Sequence, residues 1–219
     1  TLPLTLFPYT TLFRSAKEFT EKGFKTLLLE RGPNIEHISD YPTSNLQPWE
    51  LKHRGRLTAQ EIKENPIASS CYAFREDAKH FFVKDKDHPY NQIRPFDWIR
   101  GYQVGGKSIM WARQVQRWSP YDFEGPVRDG FAVDWPIRYK DLADWYTYVE
   151  RFVGVSGNKD GLDILPDGEF LKPWESNVVE EYFSQQMKKF YKDRHVIYGR
   201  CAHLTESRPI FMKQGRGLC

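Results

Sequence analysis

The chain has little cysteine, no clustered histidine and no long apolar run, and each shortage excludes a class of protein. Its three cysteines lie far apart with no C-x-x-C spacing, which indicates reduced or buried thiols and not a disulfide framework: Cys71, Cys201 and Cys219. The six histidines stand singly, without the i,i+3 or i,i+4 spacing that places two ligands on one helix face. We therefore predict no metal site.

The chain also lacks a large excess of positive or negative charge. The 219 residues include 32 lysines and arginines against 29 aspartates and glutamates, for a net charge of +3, and the two signs are interspersed. Nucleic-acid-binding surfaces gather basic residues in one run or on one face. The sequence accordingly predicts no nucleic-acid partner. A hydrophobic fraction of 40%, with 16% aromatic residues, is sufficient for a globular core.

Residues 1–15 differ from the rest of the chain, since they are apolar, rich in threonine and interrupted by Pro3 and Pro8. A secretory signal needs a basic start, an unbroken apolar stretch and small residues before the cleavage site, and this segment has none of the three. It is also too short to span a bilayer. From Thr5 to Ser15 it resembles a translated sequencing adapter. We therefore exclude residues 1–15 from the fold prediction and expect the natural start of the protein to be absent.

The next segment predicts the end of a helix, a turn and a strand. The helical pattern ends at Gly23, a residue type favoured at helix C-caps, and the predicted strand Lys25–Glu30 follows with Leu27-Leu28-Leu29 at its centre. A short apolar strand that ends on an acid is typical of dinucleotide-binding folds, in which the acid accepts hydrogen bonds from ribose hydroxyls. Glu30 is thus a candidate cofactor ligand, and a solvated glutamate at a strand end is the simpler alternative. The first strand and the G-x-G-x-x-G turn expected before such a unit are not present.

A second candidate site is the loop that reads RGYQVGGKSIMW over residues 100–111. Adjacent glycines reach positive φ without steric cost, and successive exposed N–H groups form a concavity that suits a phosphate or the edge of a flavin. The residues of this loop that carry the chemistry are Gly105, Gly106, Lys107 and Ser108. An ordinary Gly-Gly turn is the alternative, and the loop by itself does not distinguish the two.

The remaining segments give a coarse organisation. Residues 33–97 are rich in proline, histidine and charge, with one short predicted helix at Thr58–Glu64, and a long irregular region of this kind is typical of a functional excursion or lid. Amphipathic spacing predicts a helix in Asp134–Gly157 and another over Ser176–Lys192, capped by Ser176. We expect the apolar stripes of both helices to pack in the core and His195–Gly199 to form a strand.

The order of these features resembles a known family. A strand that ends at Glu30, a long excursion, RGYQVGGKSIMW and then DWPIRYKDLADWYTYVERFVGVSG follow one another as in the FAD-dependent glucose–methanol–choline (GMC) oxidoreductases. Within that family the chain is most similar to the bacterial sugar- and gluconate-oxidising branch that also resembles pyranose oxidase. The resemblance covers Ala16–Cys219, and its most specific parts are Val104–Trp111 and the block from Asp134 to Gly157.

The resemblance implies an α/β fold, α+β over the whole chain, with a fragment of a Rossmann-like FAD-binding domain and part of a GMC substrate domain. The implied domains are an artefactual segment at 1–15, a partial FAD-binding domain at 16–135 and a truncated continuation at 136–219. Preorganised N–H donors beside the flavin would stabilise negative charge on the reduced ring. The residues that the resemblance implies for FAD binding are Glu30 at the adenosine ribose and Arg100, Gly101, Gly105, Gly106, Lys107, Ser108, Met110 and Trp111 along the diphosphate and ring.

The sequence departs from the family pattern at two points, and these limit which functional residues the resemblance implies. Relatives of pyranose oxidase have a histidine just before the tryptophan that can attach to the flavin. Here that position is Met110, whose thioether cannot form the link, so FAD is expected to bind without a covalent bond. The catalytic histidine of the family and its histidine or asparagine partner lie in a C-terminal segment that this chain does not contain. We therefore name no catalytic residue and expect this fragment alone to be inactive.

The implied function is oxidation of a CH–OH group of a sugar, sugar acid or polyol by hydride transfer to FAD, with an electron-acceptor subunit as a candidate partner. Two alternatives stay open. Seven tryptophans and twelve tyrosines would also suit a non-catalytic carbohydrate-binding module. A nicotinamide-dependent Rossmann enzyme is the other, because Glu30 alone does not distinguish NAD from FAD. The substrate, the oligomeric state and the compartment, cytoplasmic or periplasmic, are not predicted.

Overall fold

A computed structural model describes residues 11–219, with side chains described from Ser15 onward. The prediction made for residues 1–15 thus falls mostly outside the described residues. The described chain divides into two compact units, the first ending at Trp111 and the second beginning at Ala112. The domain boundary expected between residues 135 and 136 lies inside the second unit, and the domain assignment itself stays a prediction.

Helices and short turns form nearly all of the regular structure. The α-helices of the described residues are α1 (Thr11–Glu21), α2 (Ala59–Glu64), α3 (Pro120–Asp129), α4 (Tyr139–Val153), α5 (Val178–Phe190) and α6 (Pro209–Lys213). Single 3-10 turns lie at Lys52–Gly55, Ala68–Ser70, Lys79–Phe81 and Gly106–Ile109. The predicted short helix at Thr58–Glu64 is confirmed as α2, with Thr58 as its N-cap.

Strand pairing in the described residues is limited to isolated bridges. The two predicted strands, Lys25–Glu30 and His195–Gly199, have no regular secondary structure, and Leu27, expected at the centre of the first, is 81% exposed. A strand exists only through the hydrogen bonds of a neighbour, and no described backbone segment pairs with either stretch. The α/β class therefore stays a prediction.

The predicted end of the first helix is confirmed in detail. α1 stops at Glu21, and Gly23 takes the left-handed conformation with φ 83°. The N–H of Phe24 donates to the carbonyl of Phe19 at 2.9 Å and that of Gly23 to the carbonyl of Thr20 at 3.0 Å. These two bonds form a Schellman motif, and the Phe19 and Phe24 rings meet edge to face at 5.9 Å, the hydrophobic contact that often accompanies it.

The core of the first unit lies in the region predicted to be a lid. Ala68, Phe74 and Phe82 are buried together, and Met110 and Ile99 pack against them. Residues 33–97 are therefore largely structural, and the expectation of a non-core excursion is wrong for their central part. Periodicity gave no indication of this core because turns and 3-10 segments, which have no long repeat, carry its side chains.

Polar contacts hold this irregular region together. The carboxylate of Asp85 accepts from the N–H groups of Ile67 and Ala68 at 2.8 and 2.9 Å, while the amide oxygen of the buried Asn65 accepts from the N–H of Asp85 at 3.1 Å. Backbone groups that a helix or sheet would satisfy are here satisfied by side chains. A long segment with little regular structure can thus enclose a core.

The second unit is built around three short segments that meet at Ser156. Ser156 bridges Leu171 in the parallel sense and Cys201 in the antiparallel sense, and Cys201 also bridges Gln114. Leu171, Leu204 and Phe211 form the adjacent buried cluster. α4 ends beside this cluster, at Gly154 in the left-handed conformation, where a side chain would overlap Leu204 and Phe211.

A buried ion pair fixes α4 in the same unit. The guanidinium of Arg117 donates to both carboxylate oxygens of Glu150, at 2.8 and 2.6 Å, and the two side chains are only 4% and 3% exposed. Tyr139 and Thr147 accept further bonds from Arg117 at 3.0 and 2.8 Å. Burial opposes the charged guanidinium, but its bonds to Glu150 and Tyr139 outweigh this and raise the pKa of Arg117 above its usual value.

The two downstream helices differ from their predictions in extent and burial. α4 begins at Tyr139, several residues after the predicted start, and α5 is capped by the side chain of Asn177 and not by Ser176. Asn177 accepts at its Oδ1 from two N–H groups, whereas the preceding Ser176 donates to Tyr198. The apolar residues of α5 expected in the core are mainly exposed: Val179, Tyr182, Phe183 and Phe190.

Candidate functional site

The predicted Gly-Gly loop closes the first unit and forms a tight left-handed turn. Gly105 has φ 87° and Gly106 has φ 54°, a region that residues with side chains rarely enter. The 3-10 turn Gly106–Ile109 follows directly. The positive φ expected of adjacent glycines is thus observed, and the role of this turn in cofactor binding stays a prediction.

Internal hydrogen bonds hold the loop in this shape. The N–H of Gly106 donates to the carbonyl of Gln103 at 2.7 Å, and the buried side-chain amide of Gln103 donates back to the carbonyl of Gly106 at 3.1 Å. The Ser108 hydroxyl donates to the carbonyl of Gly105. Among the described residues, the N–H groups of Gly105 and Lys107 have no hydrogen-bond acceptor. The loop therefore contains two main-chain donors without an acceptor, one on the buried Gly105 and one on the exposed Lys107.

The other predicted residues of the loop take different surroundings. Lys107 is exposed, and Trp111 is half-buried at the end of the unit. Met110 packs against the Ala68–Phe74–Phe82 core, and its terminal methyl occupies the space where a side chain on Gly101 would lie. Gly101 is thus in close contact with Met110, which the sequence did not indicate.

Arg100 is the most unusual residue of the site because its charge is buried without a counter-ion. It is 6% exposed, and no described carboxylate pairs with it. Its guanidinium donates to the carbonyl of His88 at 2.6 Å and to the hydroxyl of Tyr102 at 3.1 Å, whereas its Nε has no acceptor. Its Cζ also lies 5.1 Å from the ring centroids of both Tyr90 and Trp98.

This environment gives Arg100 a structural role besides any contact with a cofactor. Aromatic faces and carbonyl groups stabilise a guanidinium partly, and an ion buried without a partner charge is otherwise costly. The carbonyl of Arg100 also accepts from the N–H of Val83 at 2.9 Å. Arg100 thus joins residues 83–90 to the start of the loop.

The segment after Glu30 lies against this loop. The N–H of Val104 donates to the carbonyl of Pro33 at 2.9 Å, and the Cζ of Arg31 lies 3.7 Å from the centroid of the Tyr102 ring. A Cβ on Gly32 would overlap the carbonyl of Tyr102, so the two chains are in close contact. The structure therefore brings residues 31–33 against residues 102–104, and these two segments adjoin the two candidate cofactor sites selected from the sequence.

Glu30 itself is exposed at the edge of this junction. Sequence reasoning selected Glu30 and missed Arg31, Gly32 and Tyr102, which make the contacts. The signal for Gly32 was present as the glycine that follows the predicted strand end, because close approach of two backbones commonly requires glycine. Nothing in the local pattern indicated that Arg31 and Tyr102 would stack, since they are far apart in the sequence.

The described residues contain no metal-ligand cluster and no membrane-spanning helix. Over residues 11–219, no group of three or more His, Cys, Asp or Glu side chains is placed to hold a metal ion. No described helix has the length and apolar character needed to cross a membrane. The three cysteines, two of them half-buried and Cys219 exposed, are not joined by disulfides.

Two characterised proteins are similar to this chain, and both are dehydrogenases. One is the 2-methyl-1,2-propanediol dehydrogenase of Mycolicibacterium austroafricanum, 27% identical over 143 residues, which cover 64% of this chain and 22% of that protein. Another is the gluconate 2-dehydrogenase flavoprotein of Pantoea cypripedii, 24% identical over 155 residues, or 65% of this chain and 23% of that protein. No protein-family model matches the chain.

The similarity is therefore to oxidoreductases, and one of the two relatives is named a flavoprotein. This agrees with the family resemblance at the level of a flavin oxidoreductase. The matched part of this chain spans less than a quarter of the length of either relative.

Proposed function

We propose that this chain is part of a GMC-type, FAD-dependent oxidoreductase that oxidises a CH–OH group of a sugar, sugar acid or polyol. Its first unit would contribute Glu30, which binds the adenosine ribose, and the loop that lies beside the flavin. The proposal rests on two dehydrogenase relatives, one of them a flavoprotein, and on the arrangement of the first unit.

The single observation that carries the proposal is the junction of residues 31–33 with residues 102–104. The Val104–Pro33 hydrogen bond of 2.9 Å and the close approach of Gly32 to Tyr102 hold the second and third residues after Glu30 against the residues that precede the two glycines. A dinucleotide extends from a ribose at a strand end to a diphosphate at a glycine turn. We infer that the two candidate ligand groups, which are about seventy residues apart in sequence, lie on one surface, the arrangement that this ligand class requires.

The residues present fit an anionic cofactor. The N–H groups of Gly105 and Lys107 and the buried Nε of Arg100 are donors without an acceptor among the described residues. Backbone donors in successive turn residues form anion-binding concavities. Glu30 offers an exposed carboxylate to a sugar hydroxyl, and hydrogen bonds to an ionised group are roughly twice as strong as neutral ones.

When bound, FAD supplies the hydride acceptor for the oxidation. This chain would hold the ribose through Glu30 and direct the N–H groups of the Gly105–Lys107 turn toward negative charge. Arg100 would keep the start of the loop in position through its bonds to His88 and Tyr102. Met110 packs against the core and has no group for a covalent link, so we propose that FAD binds non-covalently.

An electron-acceptor subunit belongs to the same proposal, because the name of the gluconate relative designates a flavoprotein. The substrate would be a small alcohol, sugar or sugar acid. No residue of the described chain is proposed as the catalytic base.

The test is flavin binding by the protein of which this chain is proposed to be a part. We expect the purified protein to carry a yellow chromophore, and acid precipitation to release all of that colour into the supernatant. Flavin that remains with the pellet would contradict non-covalent binding. A colourless protein that FAD does not saturate would contradict the proposed function, and saturation by NAD instead would identify a nicotinamide enzyme.

A further inference from the structure

A cavity in the first unit is lined by three arginines and a single carboxylate. Its volume is about 670 Å³, and Arg54, Arg56, Arg75 and Asp77 are among its lining residues. None of the loop residues 100–111 lines it. The volume lies in the range of about 300–1,000 Å³ that is typical of small-molecule sites.

Two of these arginines are unpaired. The side chains of Arg54 and Arg56 have no hydrogen-bond or ion-pair partner among the described residues, whereas the Nε of Arg75 donates to the carbonyl of Tyr72 at 3.0 Å. Asp77 provides one negative charge against three positive charges. Arg54 and Arg56 are both exposed, so the cavity has a net positive charge and two solvent-accessible guanidinium groups that a ligand can reach.

The backbone that carries these arginines is in an unfavourable conformation. His53 and Arg54 have φ values of 51° and 53°, and Gly55 follows with φ 78°. A left-handed residue other than glycine costs about 1–2 kcal/mol, so two in succession are costly. This turn places Leu51, Arg54, Gly55, Arg56 and Leu57 along one cavity. Strain of this kind clusters at ligand-binding sites.

The rest of the lining is apolar or aromatic. Phe74 is fully buried and belongs to the core cluster of the unit, against which Leu57 and Cys71 pack. Tyr72 lines the same cavity and is largely exposed, which leaves its ring accessible to a ligand. A ligand that fills this space meets guanidinium groups on one part of its surface and apolar groups on another.

We propose that this cavity is a binding site for a small organic anion, a carboxylate or phosphate ester with an apolar or aromatic body. Arg54 and Arg56 bind the anionic group, and the exposed ring of Tyr72 contacts the body. Guanidinium groups bind carboxylates and phosphates through paired hydrogen bonds, which a neutral ligand cannot form equally well. The site is separate from the proposed flavin loop and does not depend on it.

Calorimetric titration of the 219-residue chain tests the proposal with four probes: 4-phenylbutyrate, phenyl phosphate, inorganic phosphate and the neutral alcohol 4-phenylbutanol. We expect one of the two aryl anions to bind saturably and both inorganic phosphate and the alcohol to bind much more weakly. The tighter aryl anion identifies the ligand as a carboxylate or a phosphate ester. Equal binding of inorganic phosphate would overturn the role of the apolar wall, and saturation by none of the probes would overturn the site.

Matched variants distinguish anion binding at this cavity from nonspecific attraction to positive surface charge. Arg54→Gly removes the guanidinium and relieves the positive φ, so it should fold at least as stably as the parent chain and bind the anion about tenfold more weakly, equivalent to ~1.4 kcal/mol. Arg56→Ala should have a similar effect on affinity. Lys52→Ala removes an equal charge from an exposed neighbour that does not line the cavity, and it should change affinity by less than about twofold. Equal weakening by Lys52→Ala and Arg54→Gly would overturn the proposal.

Discussion

The guanidinium of Arg31 lies over the ring of Tyr102, with 3.7 Å between its Cζ and the ring centroid. The hydroxyl of the same tyrosine accepts from the buried Arg100 at 3.1 Å. Tyr102 is thus in contact with one arginine from each of two distant parts of the sequence. Its side chain joins the segment after Glu30 to the start of the Gly-Gly loop.

Two substitutions of Tyr102 should distinguish how much each of its two contacts contributes to the free energy of unfolding. Tyr102→Phe keeps the ring under Arg31 but leaves a buried donor of Arg100 without its acceptor, which costs about 1–3 kcal/mol. Tyr102→Ala also removes the ring, and we expect a total loss of about 2–4 kcal/mol in the free energy of unfolding. Urea unfolding of the 219-residue chain, followed by fluorescence, measures both.

Tyr72 provides the control for this series because its ring is largely exposed. Tyr72→Ala should change the unfolding free energy by less than about 0.5 kcal/mol. If Tyr102→Ala unfolds at the same urea concentration as Tyr72→Ala, then Tyr102 does not join the two segments.

Gly32→Ala is expected to destabilise the first unit through steric overlap. A Cβ at residue 32 would overlap the carbonyl of Tyr102, a backbone atom that cannot rotate away. Overpacking of this kind costs about 1–3 kcal/mol. Gly217→Ala is the matched control, since a Cβ there has no neighbour within 4 Å and no positive φ is involved. Equal melting temperatures for the two variants would contradict the close approach.

Local signals in the sequence predicted local structure well. Gly23 ends α1 in a Schellman motif, and Thr58 caps α2 through a capping box with Glu61, because these residue types act on backbone groups a few positions away. The Gly105–Gly106 turn was predicted for the same reason, since its positive φ values depend on the two glycines alone.

Contacts between distant residues could not be predicted in this way. The aromatic surroundings of Arg100 depend on Tyr90, Trp98 and Tyr102 meeting in space, and a list of residue types does not reveal it. The predicted strand Lys25–Glu30 failed to appear because a strand needs a hydrogen-bonded neighbour, which no described segment provides. The α5 stripe was predicted to be buried from periodicity, which shows that one face is apolar but not what covers it.

Acid should remove the stabilising contribution of Glu61. The hydrogen bond from Lys79 and the N–H of Thr58 lower the pKa of Glu61 to about 2. Its folded-state pKa lies below the unfolded value, so the contribution is complete above about pH 4.5 and is lost as the pH falls toward 2. Because the carboxylate is partly exposed, we expect a contribution of only about 1 kcal/mol after solvent screening.

Thermal melts of the parent chain and Glu61→Gln across this pH range provide the test. The parent should be the more stable near neutral pH, and the difference should disappear near pH 2. Glu175→Gln serves as control, because Glu175 is highly exposed and its pair with Lys172 is long at 3.4 Å. A stability difference for Glu61→Gln that is independent of pH would rule out the ionised pair as its cause.

The buried Arg117–Glu150 pair should be sensitive to the loss of either charge. Glu150→Gln leaves the guanidinium of Arg117 buried without a counter-ion, at an expected cost of about 3–5 kcal/mol. The exposed pair between Arg151 and Glu169 is a matched control, and Glu169→Gln should cost less than about 1 kcal/mol. The free energy of unfolding of both variants can be measured by urea unfolding. Similar decreases in the two variants would show that the buried Arg117–Glu150 pair stabilises the fold no more than the exposed pair does.

Glu30→Ala tests the proposed cofactor site most directly. Glu30 is exposed and has no hydrogen-bond partner among the described residues, so its removal should leave the melting temperature of the flavin-free protein unchanged. If this chain is part of an FAD-binding protein as proposed, the same change in that protein removes a charge-assisted bond to the ribose, and we expect FAD binding to weaken by about 1.5–3 kcal/mol, or roughly 10- to 150-fold. Glu36→Ala, which changes another exposed acid on the same segment, should leave the FAD dissociation constant unchanged.

The melting temperature and the FAD dissociation constant together distinguish a cofactor ligand from a structural residue, because replacing a structural glutamate would lower the melting temperature before any cofactor is added. An equal dissociation constant for the Glu30→Ala and Glu36→Ala proteins would mean that Glu30 is a solvated residue at the end of its segment and that the ribose is bound elsewhere.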